Sequence, residues 1–345
     1  MVDGRTAASQ GILLRPLLAL AREKKTWMPS LLAGVLWRAS TNLGTLHKVL
    51  GLLKLPQFAE TVQVNPRFPF KYLTRDYLVR NFTVNERLTC FLHHHRRMYC
   101  ALPDRALRQT LKGRVTLHEI NAGSNRFIIN MGLPRPPWDK EGELSLNFEV
   151  NGELVYNLSF NIIPGWVVES KTAEVILITR VQGRKGCYDK IKLVANAMHE
   201  AAPIELLLSA AQGIANVLGI HEIAAVCGTN QNCFQDEYAS QFMKAYDEFF
   251  TELGLVKTDA GLLFGPISHL CSLPNEKDSA TTVKSRRGLR AMKRRATRLK
   301  IQLSCAGIFS NGAGQTAMPS DAPQRAQGPI GVGSRSSTLP CPIHN

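Results

Sequence analysis

The clearest pattern along the chain is a change of hydrophobic period at Gly113. Before it, apolar residues recur at helical spacing. Leu43, Leu46, Val49, Leu50 and Leu53 continue a series begun at Leu31, broken by Gly34, Gly44 and Gly51 and closed by Pro56. It predicts a helical N-terminal arm over residues 1–65. Thr83–Leu102 predicts a longer helix: Thr83-Val-Asn-Glu86 is a capping box, Leu88, Leu92, His95 and Tyr99 share a stripe, and Pro103 ends it. After Gly113 the period is two. Arg114–Ile120 and Arg126–Met131 read as strands. Leu144–Val150 and Leu154–Ile162 then alternate around Asn151-Gly152, the pair that tolerates the positive φ of a tight hairpin. Glu174–Val181 is more continuously apolar, as a strand covered on both faces should be.

The pattern then becomes α/β. Cys187–Ala202 and Pro203–Leu218 read as helices, the second opened by Pro203 and stopped by Gly219. Ile220–Cys227 reads as a buried strand, Glu237–Leu253 as an aromatic-faced helix, and Leu255–Lys257 and Gly261–Phe264 as short strands. The order predicts an α+β fold, a twisted and mainly antiparallel sheet flanked by helices, over a globular region 66–278. From Ser279 the apolar pattern fades. A basic segment, 279–303, leads into a Gly-, Ser- and Pro-rich tail, 304–345, expected to be disordered.

Composition adds limits. The 345 residues are 44% hydrophobic and 20% charged, which excludes a wholly disordered or fibrous chain. The net charge of +15 is uneven: residues from Ser279 onward hold 11 Lys or Arg against one acid, Asp321. The basicity is therefore a property of the C-terminal region, not of a nucleic-acid-binding domain. Lys284–Lys300 has no interleaved aromatic, which argues against stacking on single strands. No run of about 18 apolar residues is present to span a bilayer. Ile12–Ala21 is interrupted by Arg15 and Pro16 and does not read as a signal peptide. The eight cysteines show no CxxC and read as reduced thiols, mostly small buried hydrophobes, in a cytoplasmic protein. His93-His94-His95 diverge by about 100° each on a helix and cannot converge on one ion, so no metal site is expected.

Several blocks resemble one bacterial family, the VirK/YbjX proteins: Phe70-Lys71-Tyr72-Leu73 with Tyr77-Leu78, the histidines at 93–95, Glu141-Gly142-Glu143-Leu144, Leu158-Ser159-Phe160, Val181-Gln182-Gly183-Arg184-Lys185-Gly186, Ala210-Ala211-Gln212, and Tyr246–Gly254. The resemblance spans about residues 66–300. The chain departs from the family at His94-His95, where His-Tyr is usual, and at Phe250, where Trp is favoured. The resemblance implies a role in envelope integrity, virulence or tolerance of antimicrobial peptides. It implies no reaction.

A second resemblance concerns the cofactor half of the GNAT acyltransferases. There a central strand runs into a glycine-containing turn whose N–H groups face the pyrophosphate of coenzyme A. Here Arg180, Gln182, Gly183, Arg184, Lys185 and Gly186 stand at that turn, with Lys185 in place of a small residue. Tyr246 stands on the helix after the next strand, where such enzymes carry the acid that protonates the departing thiolate. Asp247 and Glu248 are further candidate bases. A bulge beside Arg180 that splays the neighbouring strands is what this resemblance expects.

Three function classes stay open. One is an acyltransferase using a coenzyme A thioester. Another is a non-catalytic accessory at the inner face of the membrane, held peripherally to anionic lipid by Leu31–Leu55 and Lys284–Lys300. The third, a nucleic-acid binder, is the least supported.

Overall fold

The computed structural model describes residue 37 and residues 43–134, 139–271 and 286–310. Leu31–Leu36, the segment 272–285 and the tail 311–345 lie outside these. Four helices come first: α1 (Leu43–Leu53), α2 (Pro56–Val64), α3 (Val84–Ala101) and α4 (Asp104–Lys112). Pro56 opens α2, where its missing N–H has no intrahelical partner to lose. Thr83 caps α3 as its sequence predicts: its hydroxyl accepts from Glu86 N–H while the Glu86 carboxylate accepts from Thr83 N–H.

Eight strands form one sheet: β1 (Arg114–Ala122), β2 (Asn125–Gly132), β3 (Leu144–Val150), β4 (Glu153–Pro164), β5 (Glu174–Gly183), β6 (Glu222–Val226), β7 (Val256–Lys257) and β8 (Leu262–Pro266). Their order is β1-β2-β3-β4-β5-β6-β8-β7. Every neighbouring pair is antiparallel except β5 with β6, which is parallel. A parallel pair needs a crossover, supplied here by α5 (Tyr188–Ala197) and α6 (Pro203–Leu218). The β3–β4 hairpin turns at Asn151 and Gly152, both at positive φ.

The helix expected over 237–253 is not uniform. Ala239–Phe242 and Phe249–Glu252 flank a π-helical turn, Met243–Glu248, and the three together form α7. The widened turn lets two consecutive residues, Tyr246 and Asp247, both point inward, which a regular α-helix does poorly.

The register divides the sheet into two unlike faces. Leu146, Phe148, Leu158 and Phe160 occupy one, together with Ile129 and Met131. This face is covered by α6 and by α8 (Arg286–Ser310), whose Ser304 hydroxyl bonds His118 of β1 at 2.8 Å. The core signal, expected to stop near Ser279, therefore continues: Ile301, Cys305 and Phe309 of α8 are buried. The reason is amphipathic. Lys and Arg are frequent in the α8 sequence, but its inward positions are apolar apart from Arg298, which is buried and paired with Glu205, and the other basic residues lie on outer or half-buried positions.

The other face carries polar rows. Thr116, Asn130, Asn147, Asn157 and Gln182 are successive register partners across five strands, as are Arg114, Gly132, Ser145, Ser159 and Arg180. Helix α3 covers one end of this face through His95 and the strand β4. The segment Val49–Val62 of α1 and α2 belongs to the same core, with Val49, Leu52, Leu53 and Phe58 buried.

Candidate functional site

Several of the blocks that carry the VirK/YbjX resemblance meet in space. Leu78 N–H donates to the Glu141 carbonyl at 2.9 Å, and the Lys71 ammonium donates to the Gly142 carbonyl. Glu143 N–H donates to Asn161 Oδ1 at 2.8 Å, and Asn161 Nδ2 donates in turn to the Tyr77 hydroxyl at 3.2 Å. The segment 139–143 is thus stitched between the Lys71–Leu78 region and the middle of β4 and β5.

Glycine at 142 is what permits this contact. A Cβ there would lie 2.9 Å from Ser159 Cβ, 2.9 Å from Thr179 Oγ1 and 3.0 Å from Phe160 N. The last two mark a β-bulge, since Ser159 pairs with Arg180 and Phe160 with Ile178, leaving Thr179 as the extra residue.

At the centre lies a buried ionic group. Glu143, His95 and Lys71 converge, with His95 Nε2 3.0 Å from one carboxylate oxygen and Lys71 Nζ 3.6 Å from the other. Burial alone would push the Glu143 carboxyl up. The Lys71 charge and the His95 interaction outweigh it and hold the group at about 2. Phe58, Phe68 and Phe91 surround the His95 ring at 4.6–5.5 Å. Tyr77 is fully buried, and burial beside Glu143 raises its pKa well above that of free tyrosine.

His94 is oriented differently. Its Nδ1 accepts from Ile162 N–H at 3.0 Å, which fixes the neutral ring with its proton on Nε2. Burial, followed by the neighbouring His95, pushes its pKa well below 6.5, against a smaller opposing pull from Glu143; His93 and Lys71 lower it further. In the unfolded chain His94 takes up a proton as pH falls through about 6.5, and in the folded chain it does not. Stability should therefore fall as pH drops from about 7 towards 5, by at most about 1.4 kcal/mol per pH unit from this residue. His94→Asn keeps an acceptor for Ile162 N–H and should flatten the dependence of melting temperature on pH. An unchanged slope would assign the acid sensitivity to His118 and His199, whose pKa values burial also lowers.

Arg180 lies on the polar face beside the bulge. It pairs with Glu141 at 2.8 Å and donates to Gln182 Oε1 at 3.0 Å. Its side chain is thus engaged away from the turn that follows. Gly183 packs edge-on to Tyr156, where a Cβ would come within 2.9 Å of Cε2. Arg184 N–H donates to the Val155 carbonyl at 2.9 Å, and Gly186 has φ +83°. The N–H groups of Lys185 and Gly186 meet no partner among the described residues, and the side chains of Arg184 and Lys185 are exposed at the start of α5.

Beyond the bulge, β5 leaves its parallel neighbour. Pairing with β6 covers only Ile176–Ile178, so the last turn of β5 has an open edge. Val181 on that edge donates its N–H to the Tyr246 hydroxyl at 3.4 Å, and the hydroxyl donates to the Val181 carbonyl at 3.1 Å. Tyr246 is buried, and that burial raises its pKa far above 10. Asp247 is committed elsewhere, accepting from Gly228 N–H at 2.6 Å and from Lys257 at 3.0 Å. Glu248 is exposed.

Sequence reasoning missed Asp139, Glu141, Glu143, Asn147, Asn157 and Ser159 as a set. The alternation in β3 and β4 signals a polar face, but not that the face is buried. Among the described residues no cluster of three or more metal-capable side chains is present, and no helix is long and apolar enough to cross a membrane. Cys90, Cys187, Cys227 and Cys305 are buried free thiols, while Cys100 and Cys233 are exposed.

A family model described as a protein of unknown function, DUF535, matches residues 35–286. The chain belongs to this family. It is the family of the VirK/YbjX proteins, and the match covers α1 through β8. No curated protein and no solved structure matches the chain.

Proposed function

We propose that this DUF535 protein transfers an acyl group from a coenzyme A thioester to an acceptor in the bacterial envelope. The observation that carries the reading is the opened β5 edge, where a parallel pair parts after three residues and a side-chain hydroxyl occupies the Val181 N–H and C=O. A pantetheine amide offers the same donor and acceptor and would replace Tyr246 there. The bulge at Thr179 and the glycine turn at 183–186 stand at the two ends of that edge, as in GNAT enzymes. The free N–H groups of Lys185 and Gly186, with the Arg184 and Lys185 side chains, suit a pyrophosphate.

In the reaction an acceptor nucleophile attacks the thioester carbonyl, the C–S bond breaks, and the acceptor's proton ends on sulfur. Tyr246 stays protonated at ordinary pH, since burial raises its pKa, and its hydroxyl would donate to the departing sulfur. Calorimetry with coenzyme A and acetyl-coenzyme A tests the site. Binding is expected, and Arg184→Glu should weaken it at least about tenfold, ~1.4 kcal/mol. Silence at millimolar ligand from folded protein would end the thioester reading.

A second reading, attachment to anionic membrane, is favoured by the outer surface of α8. Leu289, Met292, Leu299 and Leu303 are exposed at steps of three, seven and four residues, flanked by the exposed Arg286, Arg287, Lys293, Arg295 and Lys300. Each cation near an anionic surface contributes about 1 kcal/mol, decaying over a Debye length of roughly 10 Å. In the arm, Val49, Leu52 and Leu53 are turned into the core, so this reading rests on α8. Flotation with anionic liposomes should fall with salt and be lost in the Leu299→Glu, Leu303→Glu double variant. Equal flotation on neutral liposomes would reject it.

A further inference from the structure

The polar face of the sheet is not sealed everywhere. A cavity of about 570 Å³ opens over β3, β4 and the end of β5, lined by Asp139, Ser145, Asn147, Asn157 and Gln182, with Arg184 at one side. Its inner wall is unusual for a soluble sheet. Asp139, Ser145 and Asn147, with Ser159 bonded behind Asp139, are all at least nine-tenths buried, so they were taken out of water on folding. Burial on that scale costs about 1–3 kcal/mol per polar group unless a partner replaces water.

The partners present are incomplete. Asp139 Oδ2 accepts from the Ser159 hydroxyl and from Asn157 Nδ2 at 3.3 Å. Its second oxygen, Oδ1, is buried with no partner, and so is Oδ1 of Asn130, the register partner of Asn147. Burial raises the Asp139 pKa and Glu141 adds to it, against smaller opposing effects of the Ser159 and Ser145 hydroxyls and the Lys71 charge. Asn147 uses one N–H on the Ser145 carbonyl at 3.2 Å, which leaves the second N–H of its amide. Asn147, Asn157 and Gln182 lie side by side, about 5 Å apart across adjacent strands.

The ligand chemistry follows from what these groups lack. Of the two orphan oxygens only that of Asp139 belongs to a cavity-lining residue; it needs a donor, so an inorganic anion or an apolar ligand would leave it unsatisfied. The amide N–H groups need acceptors, so a polyamine would leave those unsatisfied. A hydroxyl both donates and accepts. Neighbouring hydroxyls on a ring match planar amide and carboxylate side chains at this spacing. We infer that this cavity binds a hydroxyl-rich ligand of the saccharide class, held by Asp139, Asn147, Asn157 and Gln182. Asp139 Oδ1 accepts from one ligand hydroxyl. Ser159 ties Asp139 to the Arg180 position beside the bulge, so the bound hydroxyl lies towards the opened end of β5. In naming the acceptor class the inference builds on the acyl-transfer reading, although the cavity's chemistry stands without it.

Saturation-transfer NMR on the full chain tests it, using D-glucose and D-glucosamine as probes, with spermidine and inorganic phosphate as counter-probes and no coenzyme A present. Saturation should reach the ring protons of at least one sugar at millimolar concentration. Asp139→Asn, nearly isosteric, should weaken that signal at least about tenfold, and Asn157→Asp should alter it without loss of fold, checked by circular dichroism. Transfer to spermidine, or displacement by phosphate that persists in Arg184→Glu, would overturn the inference, as would silence towards both sugars from folded protein. Sugar binding in a protein that ignores coenzyme A would uphold this inference and remove the thioester reading. Coenzyme A binding without sugar binding would do the reverse.

Discussion

Replacing Glu143 with alanine is expected to lower the unfolding free energy by about 3–5 kcal/mol. The carboxylate faces His95 and Lys71 from a position that is 1% exposed, so its removal leaves the half-buried Lys71 ammonium without its counter-charge and the buried His95 ring without its hydrogen-bond partner. It also loosens the segment 139–143 from β4 and frees the contacts that hold Gly142 against the bulge. For a domain of this size the melting temperature should drop by roughly 6–20 °C. Glu143→Gln keeps the shape and a hydrogen-bond acceptor and should cost less. The pH dependence has a definite sign. A carboxyl held at about 2 in the folded chain contributes fully above the unfolded value of 4.5 and loses that contribution as pH falls towards 2. Glu60 provides the contrast: it pairs with Arg108 and Lys112 at the surface, and Glu60→Ala should barely move the transition. If chemical denaturation finds Glu143→Ala within 1 kcal/mol of the parent, the ionic group is not what anchors this face.

The other large effect is expected at Gly213, where α6 crosses α8. A Cβ on residue 213 would stand 2.7 Å from Gln302 Cα and 2.8 Å from its carbonyl oxygen. Both are backbone atoms of a helix and cannot swing aside. Gly213→Val should therefore push α8 off the sheet, exposing Ile301, Cys305 and Phe309 and breaking the Arg298–Glu205 pair. In an exposed helix, glycine to alanine stabilises by about 1 kcal/mol. A loss of stability in Gly213→Ala would thus isolate the crossing itself. Limited trypsin digestion gives the readout, since α8 is dense in Lys and Arg. Cleavage between Arg286 and Lys300 should accelerate at least about tenfold in the valine variant. An unchanged digestion pattern would mean that α8 is not held by this crossing.

Much of the secondary structure was legible because it is written in local chemistry. The capping box at Thr83, the Asn151-Gly152 turn, Pro203 and Gly219 each act within a few residues. The alternation in Leu144–Ile162 sets strand faces whatever lies above them. The parallel pairing of β5 with β6 was foreshadowed by two helical segments between two apolar strands. Helix α8 was less legible. Its composition is that of a solvated basic segment, and its three buried apolar positions carry weight only once α6 is alongside.

The candidate site was legible in part. Arg180, Gln182, the 183–186 turn and Tyr246 were marked by the resemblance to the GNAT cofactor half; the first three lie on or just after β5, and Tyr246 reaches the edge of that strand through its hydroxyl. What the resemblance could not supply was commitment: Arg180 is bound to Glu141, and Tyr246 is bound to Val181. The polar row through Asn130, Asn147, Asn157 and Gln182 is invisible along the chain, because its members come from four strands and only register aligns them.

The sequence by itself determined most of the helices and strands of the region 83–266, which strand faces are apolar, and that the charge gathers near the C-terminus. These depend on interactions between residues a few positions apart. The sequence did not mark α4, the π-helical turn of α7 or the run of α8 to Ser310. The tertiary structure alone decided that a polar sheet face is buried, that Glu143 meets His95 and Lys71, that β5 parts from β6 after three residues, and that a basic helix closes the core. Each of these depends on groups tens to hundreds of residues apart, brought together by a sheet register that no local signal encodes.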